Sequence, residues 1–400
     1  MNLLMASSYF ESHRGGIEVV VGQLARELHA VGTSVAWLAS DATMSPPLPG
    51  PCGRPIAIHA LNATERLLGI PFPIPGIAAL RTICKEVDHS DIVLLHDALY
   101  PSNIAAFLFA RWARKPVVLT QHIASVPYRN SLLRGLMRVL NRVITRPLLA
   151  SANQVVFISE VTAGAFADVS YRNPPRLIFN GVDTDIYRPT VNAAERSAAR
   201  QHFGLPLDRR IALFVGRFVE KKGLDVLHHA ARMDRDTVWV LAGWGPLDPA
   251  SWKLPNVRVF PGLSGATLAP LYRASDAFVL PSIGEGFPLV LQEALASGLP
   301  TICGAESARA DKNAGALLRT IQVDVYKSET TAAQLIEALH GAVRENTPDQ
   351  AAQRAGYSRK SYSWPSAAKL YLDLFNDIAG TNAIASSKAS QARPAMETNR

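Results

Sequence analysis

The chain alternates short, β-rich apolar runs with stretches of helical periodicity, and it does so twice. Residues 2–8 read as a buried strand. Gly15-Gly16 then opens a helix that places Ile17, Val20, Val21, Leu24, Leu28 and Val31 on one face, and Gly32 ends it. Further strands are expected at 34–40, 91–96, 116–122 and 154–159. A second series follows Arg210, with strands at 211–216, 237–242, 257–260, 277–281 and 300–303. Its helices fall at 224–232, 267–275 and 288–297. Such alternation predicts parallel, doubly wound α/β sheets with ligands bound outside the carboxyl ends of the strands. At 400 residues the chain exceeds one ordinary core, so two Rossmann-like domains facing across a cleft are expected. A polar, proline-punctuated stretch at 180–201 sets the boundary near Pro189. The expected division is 1–188 and 189–361, then a helix at 362–380 and a disordered tail at 381–400 rich in Ser, Ala and Asn.

Composition narrows the partners. Hydrophobic residues make up 48% and charged residues 18%, as in an ordinary globular protein. The three cysteines, Cys52, Cys84 and Cys303, are too scattered for a disulfide framework and read as small apolar residues in a reducing compartment. The first residues lack the basic start and long apolar run of a secretory signal. The uncharged run 67–80 holds three prolines and is too short to span a bilayer. A cytoplasmic protein is expected. The net charge of +8 is uneven: residues 98–159 hold no acid but eight bases, namely Arg111, Arg114, Lys115, Arg129, Arg134, Arg138, Arg142 and Arg146. A patch of that kind attracts phosphate in some form.

Two carboxylates, Glu285 and Glu293, stand in an otherwise apolar, glycine-framed segment, 284–300. Pro288 suits the first position of a helix and Gly298 the position past its end. Glu285 then lies on the loop before the helix and Glu293 on its second turn, roughly 8–12 Å further along at about 1.5 Å per residue. That spacing suits grips on two ends of an elongated polar ligand better than an acid/base couple, although inverting glycosidases use separations near it. Between the two grips the positive helix N-terminus faces an anion. Sugar, phosphate and ribose in a row describe a nucleotide sugar. Taken singly, Glu285 reads as a loop carboxylate and Glu293 as the partner of a surface cation. Arg217 and Lys222 follow the first strand of the second series, where a doubly wound sheet binds phosphate, and two cations there can neutralise a departing pyrophosphate. Lys221 reads as part of a solvated loop. Gly15-Gly16 lets backbone approach a ligand at a helix start, but the pair lacks the full dinucleotide fingerprint, so no nicotinamide cofactor is expected. His122 and, as second choice, His96 end neighbouring strands and point toward the cleft. Neither has metal-ligand spacing, so no essential metal is expected.

The Glu-(seven residues)-Glu arrangement, continued by Ala294-Leu295-Ala296-Ser297-Gly298-Leu299-Pro300, resembles the retaining glycosyltransferases of family 4, of the bacterial polysaccharide or glycolipid type. Ser7-Ser8-Tyr9-Phe10 with Gly15-Gly16-Ile17-Glu18, Asn180-Gly181-Val182-Asp183, the segment from Val215 to Gly223, and Leu241-Ala242-Gly243-Trp244-Gly245 are similar to the same family in the same order. The resemblance implies the GT-B architecture. It also implies a hexose moved, with retention and without metal or cofactor, from a nucleotide diphosphate sugar to a sugar or lipid-linked acceptor in surface polysaccharide or glycolipid assembly. Carried over residue by residue, it puts Arg217, Lys222 and Gly16 at the donor diphosphate and Glu285, His122 and the backbone of Gly286, Phe287 and Pro288 at the transferred sugar. Glu293 falls at the ribose. It also implies that a helix near 364–375 crosses back onto the first domain. After Pro300 the stretch 303–309 departs from the apolar strand and glycine-rich loop of the family, so contacts there are not carried over. The rivals are a sugar-nucleotide epimerase of the same architecture and an inactive, membrane-docking relative.

On a helical wheel, Arg134, Arg138, Arg142 and Arg146 advance by only about 40° each, opposite Leu136, Met137, Leu140, Val143 and Ile144. The expectation is a helix at 132–149 with its apolar side on the domain core and its basic side on anionic lipid, which keeps the protein peripheral on the inner face of the membrane. Nucleic acid fits less well, since no stacking aromatics are interleaved.

Overall fold

A computed structural model of the chain describes residues 1–13, 15–41, 53–62, 72–123, 131–324 and 326–391. Cys52, Arg129 and residues 392–400 lie outside the described residues. The first sheet runs in the order β3-β2-β1-β6-β7-β8-β9, and every pair in it is parallel. Its central strands are β1 (Asn2–Tyr9), β2 (Ser34–Ser40), β6 (Ile92–His96), β7 (Val117–Gln121) and β8 (Gln154–Phe157), with β3 (Arg54–Ile58) and β9 (Arg176–Leu177) at the edges; the short β4 (Ala60–Leu61) and β5 (Ile74–Pro75) pair antiparallel outside it. The second sheet is also parallel, in the order β12-β11-β10-β13-β14-β15. It comprises β10 (Ile211–Arg217), β11 (Val238–Trp244), β12 (Val257–Phe260), β13 (Ala277–Leu280), β14 (Thr301–Gly304) and β15 (Leu318–Ile321). Near-continuous burial of β1, β6, β7, β10 and β13 is what a sheet covered on both faces demands. Each sheet reverses its winding once, between β1 and β6 and between β10 and β13. Loops at those switch points part and leave a crevice at the strands' carboxyl ends.

The strands expected from sequence are present, with ends moved by one or two residues. The strands Arg54–Ile58 and Leu318–Ile321 and the helices Ile77–His89, Pro101–Trp112, Ser328–Glu345 and Pro348–Tyr362 complete the layers. The last helix, Trp364–Gln391, carries Trp364, Ala368, Tyr371, Leu374 and Phe375 into one apolar cluster with Leu3, Met5, Val21, Leu24 and Trp37 of the first sheet's layer. The Tyr371 hydroxyl meets the Thr120 hydroxyl at 2.9 Å, and Arg176 pairs with Asp377 at 2.7 Å. The chain therefore passes between the two sheets twice. The two passages meet where Val182 N–H donates to the Tyr362 carbonyl at 2.6 Å.

Three elements differ from expectation. Pro288 is the N-cap, with φ −64° and ψ 131°, and the helix is Leu289–Ala296. An extended proline ends the preceding loop while its missing N–H costs the helix nothing. The basic segment is not one α-helix: Ser131–Leu140 passes through a π-helical turn, Asn141–Thr145, into Arg146–Ser151. Pro147 offers no N–H to the Val143 carbonyl and crowds it, which favours the wider turn. Backbone helix also continues to Gln391, past the expected start of the tail at 381, through a stretch rich in the helix-forming Ala.

Candidate functional site

On the second sheet, β10 and β11 end in step, Gly216 opposite Gly243 and Arg217 opposite Trp244. Only glycine fits at 243, because a Cβ there would stand 1.9 Å from the Gly216 carbonyl oxygen. The two loops beyond are tied, with Phe218 N–H donating to the Trp244 carbonyl at 2.7 Å and Leu247 N–H to the Phe218 carbonyl at 3.1 Å. The Arg217 guanidinium lies over the Trp244 indole, 4.8 Å from the ring centre. A 3-10 turn, Glu220–Lys222, then closes on Gly223, whose φ of 75° and contact with the Pro281 carbonyl admit no side chain. Ile283 N–H donates to the Lys221 carbonyl at 3.0 Å, so this turn is fastened to the loop after β13.

That fastening brings Lys222 Nζ to 3.1 Å and Lys221 Nζ to 3.4 Å from Glu285 Oε1. Lys221 is thus part of the cluster rather than only a solvated neighbour. Lys222 and Glu285 are almost wholly shielded, at 12% and 13% exposure. Burial pulls the Lys222 pKa down, while the Glu285 carboxylate pulls it back up. Gly284, at φ 67°, donates its N–H to Glu306 Oε2 at 3.0 Å. The departing segment after Pro300 therefore supplies an anchor for the Glu285 loop. Glu293 sits in the second turn of Leu289–Ala296 and accepts the Tyr272 hydroxyl at 2.7 Å, with Tyr187 as a further hydroxyl partner. Burial raises the Glu293 carboxyl to about 7, although both hydroxyl bonds work against the rise. Phe287 turns its ring inward against Phe179 and Tyr362, so only its backbone faces the cleft.

The opposite wall comes from the first sheet. Gly15 is the extended N-cap of Gly16–Ala30, and a Cβ on Gly16 would meet nothing within 4 Å. The buried Glu18 carboxylate folds back on the Gly15 side, where a Cβ would stand 1.9 Å from its Oε2, so an acid already stands beside this helix start. His96 ends β6 and His122 follows β7; His96 Nδ1 lies 3.0 Å from His122 Nε2. Burial lowers both, His122 to about 3 and His96 well below the usual imidazole range, so both rings are neutral. Between them in sequence, Asp97 adopts φ 66°, uncommon outside glycine. Its Oδ1 accepts from the N–H of His122 at 2.9 Å and of Ile123 at 3.3 Å, and its Oδ2 is buried with no hydrogen-bond partner among the described residues. Burial raises this carboxyl to about 7, nearby Glu18 adds to the rise, and the two N–H bonds oppose it. The Asn103 amide pins the strand end by donating to the carbonyls of His96 and Asp97 at 2.7 and 2.8 Å.

The two walls nearly touch at Gly286, where a Cβ would stand 3.3 Å from Thr162 Oγ1 and 3.4 Å from the His122 carbonyl. The fold thus gathers Arg217, Lys222, Glu285, Gly286 and His122 at one cleft, with Gly16 at the first sheet's switch point and Glu293 one helical turn behind. Among the described residues no cluster of three or more His, Cys, Asp or Glu is placed to hold a metal ion. Arg134, Arg138, Arg142 and Arg146 lie on the separate helical segment. Arg146 is committed to Asp168 and the Phe166 ring.

The profile described as Glycosyltransferase Family 4 matches residues 14–186, and that described as Glycosyl transferases group 1 matches residues 195–356. The chain belongs to glycosyltransferase family 4. Among similar sequences, D-inositol 3-phosphate glycosyltransferase of Mycobacterium avium (strain 104) is 28% identical over 381 residues, covering 88% of this chain and 86% of that one. The putative teichuronic acid biosynthesis glycosyltransferase TuaC of Bacillus subtilis (strain 168) is 30% identical over 227 residues, 56% of either chain. Solved structures share the GT-B fold. Anabaena HepE in complex with UDP superposes with a TM-score of 0.70 at 16% identity, over 94% of this chain and 99% of that one. WaaG, a glycosyltransferase involved in lipopolysaccharide biosynthesis, gives 0.65 at 18% identity over 94% and 99%. The two sheets with their helices therefore form two Rossmann-like domains of the GT-B fold.

Sequence reasoning missed Asp97, Tyr187, Tyr272, Trp244 and Glu306. An acid one residue past an apolar strand was a usable signal for Asp97. Tyr187, Tyr272 and Glu306 are joined to the site by pairing between distant segments, which no local pattern carries.

Proposed function

We propose that this glycosyltransferase moves a hexose from a nucleotide diphosphate sugar to a sugar or lipid-linked acceptor with retention of anomeric configuration and without a metal, at the inner face of a membrane in surface polysaccharide or glycolipid assembly. The observation that carries the reading is the shielded Lys222–Glu285 pair beside Arg217 at the switch point of the second sheet. A diphosphate entering there meets two cations in a poorly hydrated cleft, where each is worth more than in water. Bond breaking between the sugar C1 and the phosphate oxygen leaves negative charge between Arg217 and Lys222. The acceptor oxygen forms the new bond to C1 from the face the phosphate leaves, and the acceptor proton passes to the departing phosphate oxygen. Glu285, freed from Lys222 as the diphosphate takes its place, accepts sugar hydroxyls, and Glu293 accepts those of the ribose. Neutral His122 offers its ring and carbonyl to the transferred sugar. Asp97 Oδ2, buried and without a hydrogen-bond partner among the described residues, is a ready acceptor for an incoming hydroxyl.

The test is a screen of UDP-, GDP- and ADP-sugars for transfer. Glu285→Ala should abolish turnover, and Glu293→Ala should chiefly raise the donor KM. Wild-type kinetics in both variants, or an epimerised nucleotide sugar formed without acceptor, would overturn the reading.

Membrane docking rests on a separate observation. Leu136, Val139 and Val143 are 53%, 56% and 59% exposed on the segment that also exposes Arg138 and Arg142. The apolar side expected on the core is instead turned partly to solvent. Apolar and basic groups on one outward segment suit the headgroup region of an anionic bilayer. No helix among the described residues is long and apolar enough to cross a membrane.

A further inference from the structure

The Arg217–Trp244 stack does not follow from the role given to Arg217 alone. We infer that Trp244 is a positioning residue: its indole holds the Arg217 guanidinium at the rim of the diphosphate site and yields it when the diphosphate binds. The inference rests on the proposed diphosphate site. It stands on three structural features. Arg217 and Trp244 are direct cross-strand partners in the β10/β11 register, and the loops after them are tied by two backbone hydrogen bonds, so the ring's place relative to the arginine is built into the sheet. The guanidinium is 4.8 Å from the ring centre, inside cation–π range. Among the described residues no carboxylate lies within ion-pair distance of Arg217, whereas Lys221 and Lys222 share Glu285. An exposed arginine with no counter-ion would sample many rotamers and lose that freedom on binding. A ring face restrains it without neutralising it, leaving the full positive charge for the incoming phosphates.

Trp244 is itself 50% exposed, so its ring is not spent as core packing. A carboxylate in its place would hold Arg217 more firmly but would compete with the diphosphate. The aromatic contact is weak enough to be exchanged and directional enough to aim the guanidinium.

The experiment is a double-mutant cycle read by calorimetry, with inorganic pyrophosphate and with UDP, GDP and ADP as ligands, on wild type, Trp244→Leu, Arg217→Ala and the double variant. Trp244→Leu should weaken pyrophosphate and nucleotide binding about three- to fivefold, ~0.7–1 kcal/mol at about 1.4 kcal/mol per tenfold. In the Arg217→Ala background the same change should cost less than about 1.5-fold. Trp244→Phe, which keeps a ring, should restore binding to within about twofold of wild type. Indole emission should change on titration of wild type with pyrophosphate and lose that response in Arg217→Ala. If Trp244→Leu weakens binding equally with and without Arg217, the tryptophan acts on loop structure and the inference is wrong. If wild type binds the ligands and Trp244→Leu matches it, the inference also fails while the diphosphate site stands. If wild type binds none of them, the diphosphate site falls and the inference with it.

Discussion

At the residue scale the informative side chains are those held away from their ordinary protonation. Glu293 is raised to about 7 by burial, against two tyrosine hydroxyl bonds. A carboxylate accepts a ribose hydroxyl more strongly than the protonated acid does, so donor affinity should fall, by up to about tenfold, between pH 8 and pH 6. Glu293→Gln should bind more weakly and lose that dependence. Tyr272→Phe removes a bond that favours the charged form, so the midpoint should move to higher pH. Calorimetric titration of UDP across pH 5.5–8.5 checks all three outcomes. The same shift has a stability consequence. Between about pH 4.5 and 7 the folded chain keeps a proton on Glu293 that the unfolded chain has released. This group therefore makes stability fall as pH rises through that window, and thermal unfolding of Glu293→Gln should gain on wild type from pH 5 to pH 8. Asp97, also at about 7, acts in the same direction, while the depressed His96 and His122 act oppositely. The sequence made Glu285, Arg217 and Lys222 legible because Arg217 is the last residue of one strand and the other two lie on loops that leave strand ends. It did not reveal that Glu293 would be half-neutralised, since the burial that raises it is built by segments distant in sequence.

At the element scale, legibility tracked the hydrophobic period. Strands buried on both faces are continuous apolar runs, and those were readable within a residue or two. The helix Pro348–Tyr362 is polar over most of its length and showed no clear stripe. The basic segment exposes the limit of a helical wheel: one π-helical turn before Pro147 resets the angle of everything after it. Arg146 consequently faces Asp168 and Phe166, and Arg138 and Arg142 remain outward beside Val139 and Val143. This division can be measured. Replacing Arg138 and Arg142 with Ala should reduce binding to vesicles containing phosphatidylglycerol roughly 30-fold, at about 1 kcal/mol per basic residue near the surface. Arg146→Ala should leave vesicle binding unchanged. Neutral phosphatidylcholine vesicles should bind the wild type poorly, and salt should weaken the anionic case. Equal co-sedimentation with both vesicle types would remove the docking proposal.

At the scale of the whole molecule, two repeated strand–helix series announced two Rossmann-like domains, but not how the chain would fasten them. That rests on contacts far apart in sequence: Glu160 N–H to the Ala310 carbonyl at 2.8 Å, Lys312 to Glu160 at 3.1 Å, and Val182 to Tyr362. At the crossing Trp364 lies so close to Gly181 that a Cβ there would come within 2.2 Å of the indole. Gly181 is a glycine because the two passages between the sheets meet at it. Gly16, by contrast, has empty space where a Cβ would go. The same substitution should therefore have opposite signatures. Gly181→Ala must displace Trp364 from the cluster it shares with Leu3 and Val21, costing ~1–3 kcal/mol, and the unfolding midpoint should drop by several degrees. Gly16→Ala should leave the midpoint unchanged or slightly raised, since Ala suits a helix better than Gly, while the donor KM rises because the new methyl occupies the approach to the helix N-terminus. Scanning calorimetry and donor kinetics on the two variants separate a glycine kept for packing between domains from one kept for a ligand. A stable Gly181→Ala with wild-type kinetics would mean the crossing is looser than its geometry implies.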